Sequence, residues 1–278
     1  MNLMRNIHKA TVNTFTLPPH HSTNVYIVGG HADAVLIDPI YAPGNPLDRM
    51  LAACNIQSIQ FAAVTHPHPD HYGGLDKLIE RFGGRVLCHA STGDIFKRST
   101  SDQILHVSGG ETVYTADDAI KVLHTPGHSS AHICFYIETQ AALFSGDTIV
   151  GHGTSIISPP EGNMTDYFNT LNHLATLDIQ TIYPAHGPVI DRYAAQRIQW
   201  YIAHRKMREE RVISALKRGM RSLTDITRQI YREEDYQMHG RDLLPRARRS
   251  VLAHLEKLES EGAVVREEQE HEAYYYLT

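Results

Sequence analysis

Three histidines and an aspartate fall within six residues of one stretch, THPHPDHYGG, from Thr65 to Gly74. Imidazole nitrogen and carboxylate oxygen are together the ligand set of zinc, and they also suit iron or manganese. His66 and His68 lie two apart, so an extended backbone points both to the same side, where they can share one metal ion. Asp70 and His71 continue around the bend and are placed for a second ion. The glycines that follow let the chain turn tightly into a helix expected over 74–82. Three more candidate ligands stand elsewhere: His128 in TPGHSS, Asp147 in FSGDT and His186 in YPAHG. Each comes just past an apolar run and beside glycine, where α/β sheets place functional groups. Any one of these histidines alone reads as an ordinary surface imidazole, but independent surface residues have no reason to recur at strand ends. Seven side chains for two ions is the chemistry the sequence offers.

The elements that must hold them are short. NVYIVGG, AVLIDPI, FAAVTH, RVLCHA, IKVLHTPG, HICFYIE, AALFSGD and TIYPAH are β-rich runs bounded by Gly, Pro or Asp. Between them, GGLDKLIERF and TDYFNTLNHLATL space apolar residues as helices do, the second with Phe168, Leu171 and Leu174 on one face. Strands alternating with helices predict a layered α/β domain over 1–190. Asp191 is positioned to cap a long helix over 191–218, which carries Arg192, Arg197, Arg205, Lys206, Arg208, Arg211, Lys217 and Arg218 against Asp191, Glu209 and Glu210. A solvated helix face is the plain explanation of that charge.

Residues 219–278 read as a separate small unit. Ser222 with Asp225 forms a capping pattern. A second helix is expected over 245–261, stopping at Gly262, followed by AVVR and AYYYL as a hairpin around EEQEHE. Helices followed by a β-hairpin describe a winged-helix-like unit.

Composition sets limits on function. Apolar residues at 42% and charged residues at 21% are ordinary for a globular chain, and no apolar run reaches a membrane span. The start, MNLMRNIHKATVNTF, has no apolar stretch of signal type, so a cytoplasmic protein is expected. Cys54, Cys88 and Cys134 are scattered in apolar settings and read as core thiols. A net charge of -5 gives no global attraction to polyanions.

THPHPDHYGG, TPGHSS, SGDT and PAHG, in that order, resemble the motifs of the metallo-β-lactamase superfamily over 24–188. The resemblance implies an αββα sandwich, with His66, His68 and His128 on one metal, Asp70, His71 and His186 on the other, and Asp147 bridging the two. Asp38, in LIDPI, falls where the family keeps an aspartate behind the ligands, although Pro39 and Ile40 replace the usual Thr-Gly. The family's true lactamases commonly use Cys at the position of Asp147, so this chain is closer to glyoxalase II and RNA-processing nucleases. With the C-terminal unit included, it resembles the mitochondrial endoribonuclease branch and its bacterial relatives.

Two divalent metals, zinc by preference, imply hydrolysis by a hydroxide that bridges them. Asp70 and Asp147 are the carboxylates assigned to catalysis, with Asp70 expected mainly to ligate. Asn24, His152, Thr154 and Tyr167 are polar residues near strand ends or in loops of the active face and are the candidate substrate contacts; an ordinary structural role is the alternative for each. A small ester or thioester is the substrate expected, because residues 1–190 carry nine Lys and Arg against sixteen Asp and Glu. Cleavage of single-stranded RNA is the alternative, supported by the basic helix. A metal-sensing regulator with a winged-helix output is a third reading, and a homodimer is a further expectation for the C-terminal unit.

Overall fold

The computed structural model describes residues 6–16, 20–92, 95–96, 103–231, 237–238, 241–242, 244–269 and 272–278. It divides into two compact units. The first comprises Met1–Thr125, Ala131–Ser155 and Leu177–Ala195; the second comprises Pro126–Ser130, Ile156–Thr176 and Gln196–Thr278.

The first unit is built on two sheets. One runs in the order β1 (Ile7–Asn13), β2 (Ser22–Val28), β3 (Ala34–Ile37), β4 (Ile59–Ala63), β5 (Arg85–His89) and β6 (Ile104–Val107). Its first three strands are antiparallel and the rest parallel. The other contains β7 (Thr112–Tyr114), β8 (Ala119–His124), β9 (Ile133–Ile137), β10 (Ala142–Gly146) and β11 (Thr181–Pro184), antiparallel except for the parallel β10–β11 pair. Period-two alternation sorts the side chains. Tyr26, Val28, Val35 and Ile37 enter a core shared with Ile120, Val122, Phe135 and Phe144 of the second sheet. Val25, Ile27 and Leu36, one residue out of step, join a core with Leu47 and Leu51 of α1 (Pro46–Ala53) and with Leu78, Ile79 and Phe82 of α2 (Leu75–Phe82). Burying each such side chain is worth about 1.5–3 kcal/mol, which makes these two layers the scaffold of the site.

Several elements escape the sequence reading, among them β1, β6, β7 and α1. β1 is absent from the predicted strands, because half-buried His8 and Lys9 hide its alternation, although Ile7, Ala10 and Val12 are buried. α1 opens with Asn45 accepting a hydrogen bond from Asp48 N at 2.9 Å, a cap followed directly by Pro46.

The second unit contains α3 (Met164–Leu174), all but the first two residues of the long α4 (Ala194–Lys217), α5 (Leu223–Ile230) and α6 (Leu244–Ser260). The short β12 (Gln237–Met238) and β13 (Arg241–Asp242) follow α5, and the hairpin β14 (Val264–Gln269) with β15 (Glu272–Leu277) follows α6. The tip of the expected hairpin turn, Glu270 and His271, lies outside the described residues. α4 starts at Ala194 rather than at an Asp191 cap, because Tyr193 holds a φ of 59° that no helical residue adopts. The expected Ser222 cap forms, accepting from Asp225 N at 3.1 Å. Val212, Ala215 and Leu216, Ile226, Val251, Leu255 and Leu258, with Val264 and Tyr275, close a core of three helices and a hairpin. Among the described residues no helix is long and apolar enough to cross a membrane.

Candidate metal centre

The site of the first unit is assembled at strand ends. Asp38 follows β3, His66 lies shortly after β4, Asp147 follows β10 and His186 comes two residues after β11. Asp38 takes a φ of 52°, a left-handed conformation uncommon outside glycine, while its N–H still donates to Ala63 O at 2.9 Å. That bend presents its carboxylate to the chain leaving β4. Past His66 the backbone makes a 3-10 turn over Pro69–His71, and Gly74, at φ 77°, starts α2. A Cβ on Gly74 would stand 1.9 Å from Tyr41 O, so glycine is required there.

Asp38 orients two histidines from behind. Its Oδ1 accepts from Thr65 N at 2.8 Å and from Thr65 Oγ1 at 2.9 Å, and its Oδ2 accepts from His71 Nδ1 at 2.9 Å. With the Thr65 hydroxyl proton given to Asp38, Thr65 Oγ1 accepts from His66 Nδ1 at 3.0 Å. The carboxylate thereby selects in both imidazoles the tautomer whose lone pair is on Nε2. The departure at Pro39 and Ile40 leaves this role of Asp38 intact. Ser22 O serves His186 in the same way, accepting from its Nδ1 at 2.8 Å.

The ligand atoms then converge. His66, His71 and Asp147 form one group whose candidate atoms all lie within 4.8 Å of one another, and Asp70, His71 and His186 form another. His186 Nε2 lies 3.5 Å from Asp70 Oδ2 and 3.3 Å from Asp147 Oδ1; His71 Nε2 lies 3.9 and 3.8 Å from Asp70 Oδ1 and Asp147 Oδ1. Both Nε2 atoms are buried and make no hydrogen bond. His66 Nε2 and His68 Nδ1 are 2.8 Å apart, a spacing at which two lone pairs repel unless a proton or a metal ion serves them. Burial alone would lower the pKa of His71, but Asp38, Asp147 and Asp70 outweigh it and raise the value to about 9. This donor set, with buried imidazole nitrogens facing carboxylates at more than hydrogen-bond length, fits a divalent cation.

His128 belongs to the Pro126–Ser130 segment of the second unit. There its Nδ1 donates to Ile156 O at 2.6 Å, which again selects the Nε2 lone pair. The segment is tied to α3: Asn163 N donates to Gly127 O at 2.8 Å and Thr170 Oγ1 to Pro126 O at 2.7 Å.

Two expected substrate contacts have structural roles instead. Asn24 is buried, giving its amide protons to Pro184 O at 2.9 Å and Gly187 O at 2.7 Å while accepting from Thr11 Oγ1 at 2.9 Å. It pins the turn that carries His186. Tyr167 is fully buried on α3, so close to Gly127 that a Cβ on that glycine would lie 2.5 Å from the tyrosine Cα. His152 is exposed and Thr154 half-exposed in the loop after β10.

Thr65 and His132 hold the candidate ligands in place and have no part in the sequence reading. His132 is buried, stacks on His66 at 5.0 Å and accepts from Asp147 N at 3.1 Å on its Nε2. Its Nδ1 faces Thr125 Oγ1 at 2.9 Å. A Cβ on Gly146 would meet His132 Nε2 at 2.6 Å, so the glycine of SGDT lets Asp147 sit on this imidazole. The available signal was the histidine of SSAHICF at the head of an apolar strand.

Comparison with known proteins gives the family and the fold. Residues 19–186 match the metallo-β-lactamase superfamily, and residues 222–272 match the β-lactamase associated winged helix domain. A β-lactamase-like protein 2 homolog of Caenorhabditis elegans is 31% identical over 231 residues, covering 80% of this chain and 74% of the relative. The lactamase-like protein nscB of Trichophyton equinum is 34% identical over 200 residues, covering 70% of this chain; the match spans 56% of that protein's length. Among solved structures, a metallo-β-lactamase family protein of Thermus thermophilus aligns with a TM-score of 0.77 over the full length of both chains at 23% identity. A β-lactamase domain protein of Burkholderia ambifaria aligns with a TM-score of 0.80 at 20% identity, over all of this chain and 93% of its own. The fold is thus the expected αββα sandwich with a C-terminal winged helix, in a superfamily whose members typically bind divalent metals. The chain belongs to the metallo-β-lactamase superfamily of metal-dependent hydrolases.

Proposed function

We propose that this hydrolase uses two zinc ions and acts on a small ester or thioester. The observation that carries the reading is the pair of buried Nε2 atoms on His71 and His186, which make no hydrogen bond and face Asp70 and Asp147. In this reading His66, His68 and His128 hold one ion, Asp70, His71 and His186 hold the second, and Asp147 is shared. When bound, such ions bring the pKa of a coordinated water near neutrality and polarise the carbonyl or phosphoryl oxygen under attack.

The rest of the work falls to the chain. Asp38 and Ser22 O hold His71 and His186 in the ligating tautomer, and Thr65 transmits the hold of Asp38 to His66. His132 fixes the backbone of Asp147. Asp70 is held through its backbone carbonyl, which accepts from Thr23 Oγ1 at 2.8 Å, and it ligates rather than shuttling protons. His152 and Thr154 remain as substrate contacts.

The acidic balance of residues 1–190 favours a small substrate over a polyanion. One observation supports single-stranded RNA as the second reading: Arg208, Arg211, Lys217 and Arg218 concentrate positive charge at the C-terminal end of the long helix. A parallel turnover assay separates the two. Metal-analysed protein is given a thioester panel and a fluorogenic single-stranded RNA at low and high salt. Thioester hydrolysis that disappears with chelator and in His68→Ala is the expected result. Activity on RNA alone, falling steeply with salt, reverses the order. Material that takes up neither zinc, iron nor manganese removes the reading altogether.

A further inference from the structure

The basic helix has a feature that a solvated face does not require. Arg211, Ser214, Ala215 and Arg218 recur at i, i+3, i+4 and i+7 along α4 and its C-terminal end, and therefore share one face. With Gln229 and Ile230 at the end of α5 they line a cavity of about 250 Å³. One turn earlier on α4, Arg208 lies over the ring of Tyr231 at 4.4 Å, at the same end of α5.

Among the described residues, neither Arg211 nor Arg218 makes an ion pair with a carboxylate. On the other side of α4, Glu209 is engaged by Lys257 at 2.9 Å, and Glu210 directly precedes Arg211. Burial first, then the positive field of Arg205, Arg208 and Arg211, holds His204 on the same helix down to about 4.

The lining specifies the ligand chemistry. Two guanidiniums offer planar forks of donors and two positive charges, Ser214 adds a hydroxyl and Gln229 a neutral amide. A carboxylate, with one charge and two oxygens, satisfies one fork. A phosphate monoester, with nearly two charges and three terminal oxygens, matches both. Ala215 and Ile230 leave a small apolar floor for the esterified group. We propose that the cleft between Arg211 and Arg218 binds the terminal phosphate of a phosphate ester. This inference stands independently of the metal reading, since every residue it uses lies in the second unit.

Titration calorimetry on the full-length, metal-loaded protein tests it, with adenosine 5′-monophosphate, inorganic phosphate and adenosine as probes. A metal centre can itself take phosphate, so the decisive comparison is between wild type and R211Q/R218Q, which differ only in the cleft. Adenosine 5′-monophosphate is expected to bind at least about tenfold more tightly than adenosine, to lose about tenfold or more in R211Q/R218Q, and to fall between these in R211K/R218K. In wild type it should also slow phenylglyoxal labelling of Arg211 and Arg218, read by mass spectrometry. Both substituted residues are exposed, and circular dichroism confirms that the variant is folded. Equal affinity in R211Q/R218Q, or arginines labelled at the same rate with and without nucleotide, overturns the proposal. A single-stranded oligonucleotide tested with and without a 5′-phosphate identifies the source. Stronger binding of the phosphorylated strand than of the mononucleotide assigns the cleft to strand ends, the reverse assigns it to free phosphate esters, and either result upholds a phosphate site.

Discussion

Among the described residues, buried histidine faces carboxylate in two places, and the difference between them separates a candidate metal site from a structural pairing. In the first unit, the groups that Asp70 and Asp147 meet at His71 and His186 are imidazoles at 3.3–3.9 Å, whose Nε2 atoms make no hydrogen bond. In the second unit, Glu209 meets buried His254 at 3.6 Å, but it also meets the ammonium of Lys257 at 2.9 Å. The pKa shifts go opposite ways. Carboxylates overcome burial and raise His71 to about 9, whereas burial dominates at His254, with Arg205 and Lys257 adding to it, and lowers its pKa. A carboxylate that already has a permanent cation needs none from solution; carboxylates facing buried imidazoles gather protons, or a metal in their place.

The most severe way to break the comparison is to remove charge from the first cluster at constant shape. Asp147→Asn should lower bound metal by at least one equivalent, measured by elemental analysis after dialysis. Turnover on the best thioester of the panel should drop by roughly three orders of magnitude, because metal stabilisation of a transition state is worth several kcal/mol at about 1.4 kcal/mol per decade. Retention of both metal and rate would remove Asp147 from the centre.

Next in size is Asp38→Asn, which leaves every proposed ligand in place and weakens only the hold on His71 and, through Thr65, on His66. Metal affinity, measured by competition with a chromophoric chelator, should fall about 10–100-fold. A smaller change would mean that packing alone fixes the two rings.

Proton linkage gives a third test, on metal-free protein. The folded pKa of His71, about 9, lies above its ordinary value of 6.5, so protonation stabilises the fold. That contribution is complete below pH 6.5 and is lost as pH rises through 9. The metal-free melting temperature should therefore fall by roughly 5 °C across this window more than that of His71→Ala does. With metal bound the slope should vanish, since the cation replaces the proton. Parallel curves for the metal-free wild type and the variant would show that the carboxylates do not govern His71.

How much of this the sequence disclosed depends on how local each role is. His66, His68, Asp70 and His71 were legible because one loop supplies them, and Asp147 and His186 because each follows an apolar strand beside glycine. Asn24 was visible as a polar residue, but its role was misread because its partners, Pro184 O and Gly187 O, lie some 160 residues away in the chain. Thr65 stood inside the quoted motif without a role, since only the fold brings Asp38 under it. His132 escaped because its function is to accept from a backbone N–H fifteen positions on, which no side-chain pattern encodes. β1 stayed hidden for a different reason: Lys9 lies along the sheet half-buried, so a charged residue interrupts the alternation that marks a strand.

The smallest effect sharpens the other half of the comparison. Lys257 sits on α6 with its side chain 11% exposed, bound to Glu209 and Glu261 and lying over the ring of Phe168 at 5.1 Å. Lys257→Met keeps the apolar stem against Phe168 and removes only the ammonium, leaving Glu209 with His254. Exposed pairs are worth under about 1 kcal/mol and fully buried ones considerably more when one partner is deleted, so this largely covered pair should lose about 1–2 kcal/mol, read as a shift in the urea midpoint at constant slope. His254, freed from one neighbouring positive charge and still beside Glu209, should titrate at higher pH in the variant, visible in its imidazole NMR signals. Metal content should not change, because the lost cation served a carboxylate that holds no metal. If Lys257→Met instead released metal, the second cluster would not be the structural counterpart of the first.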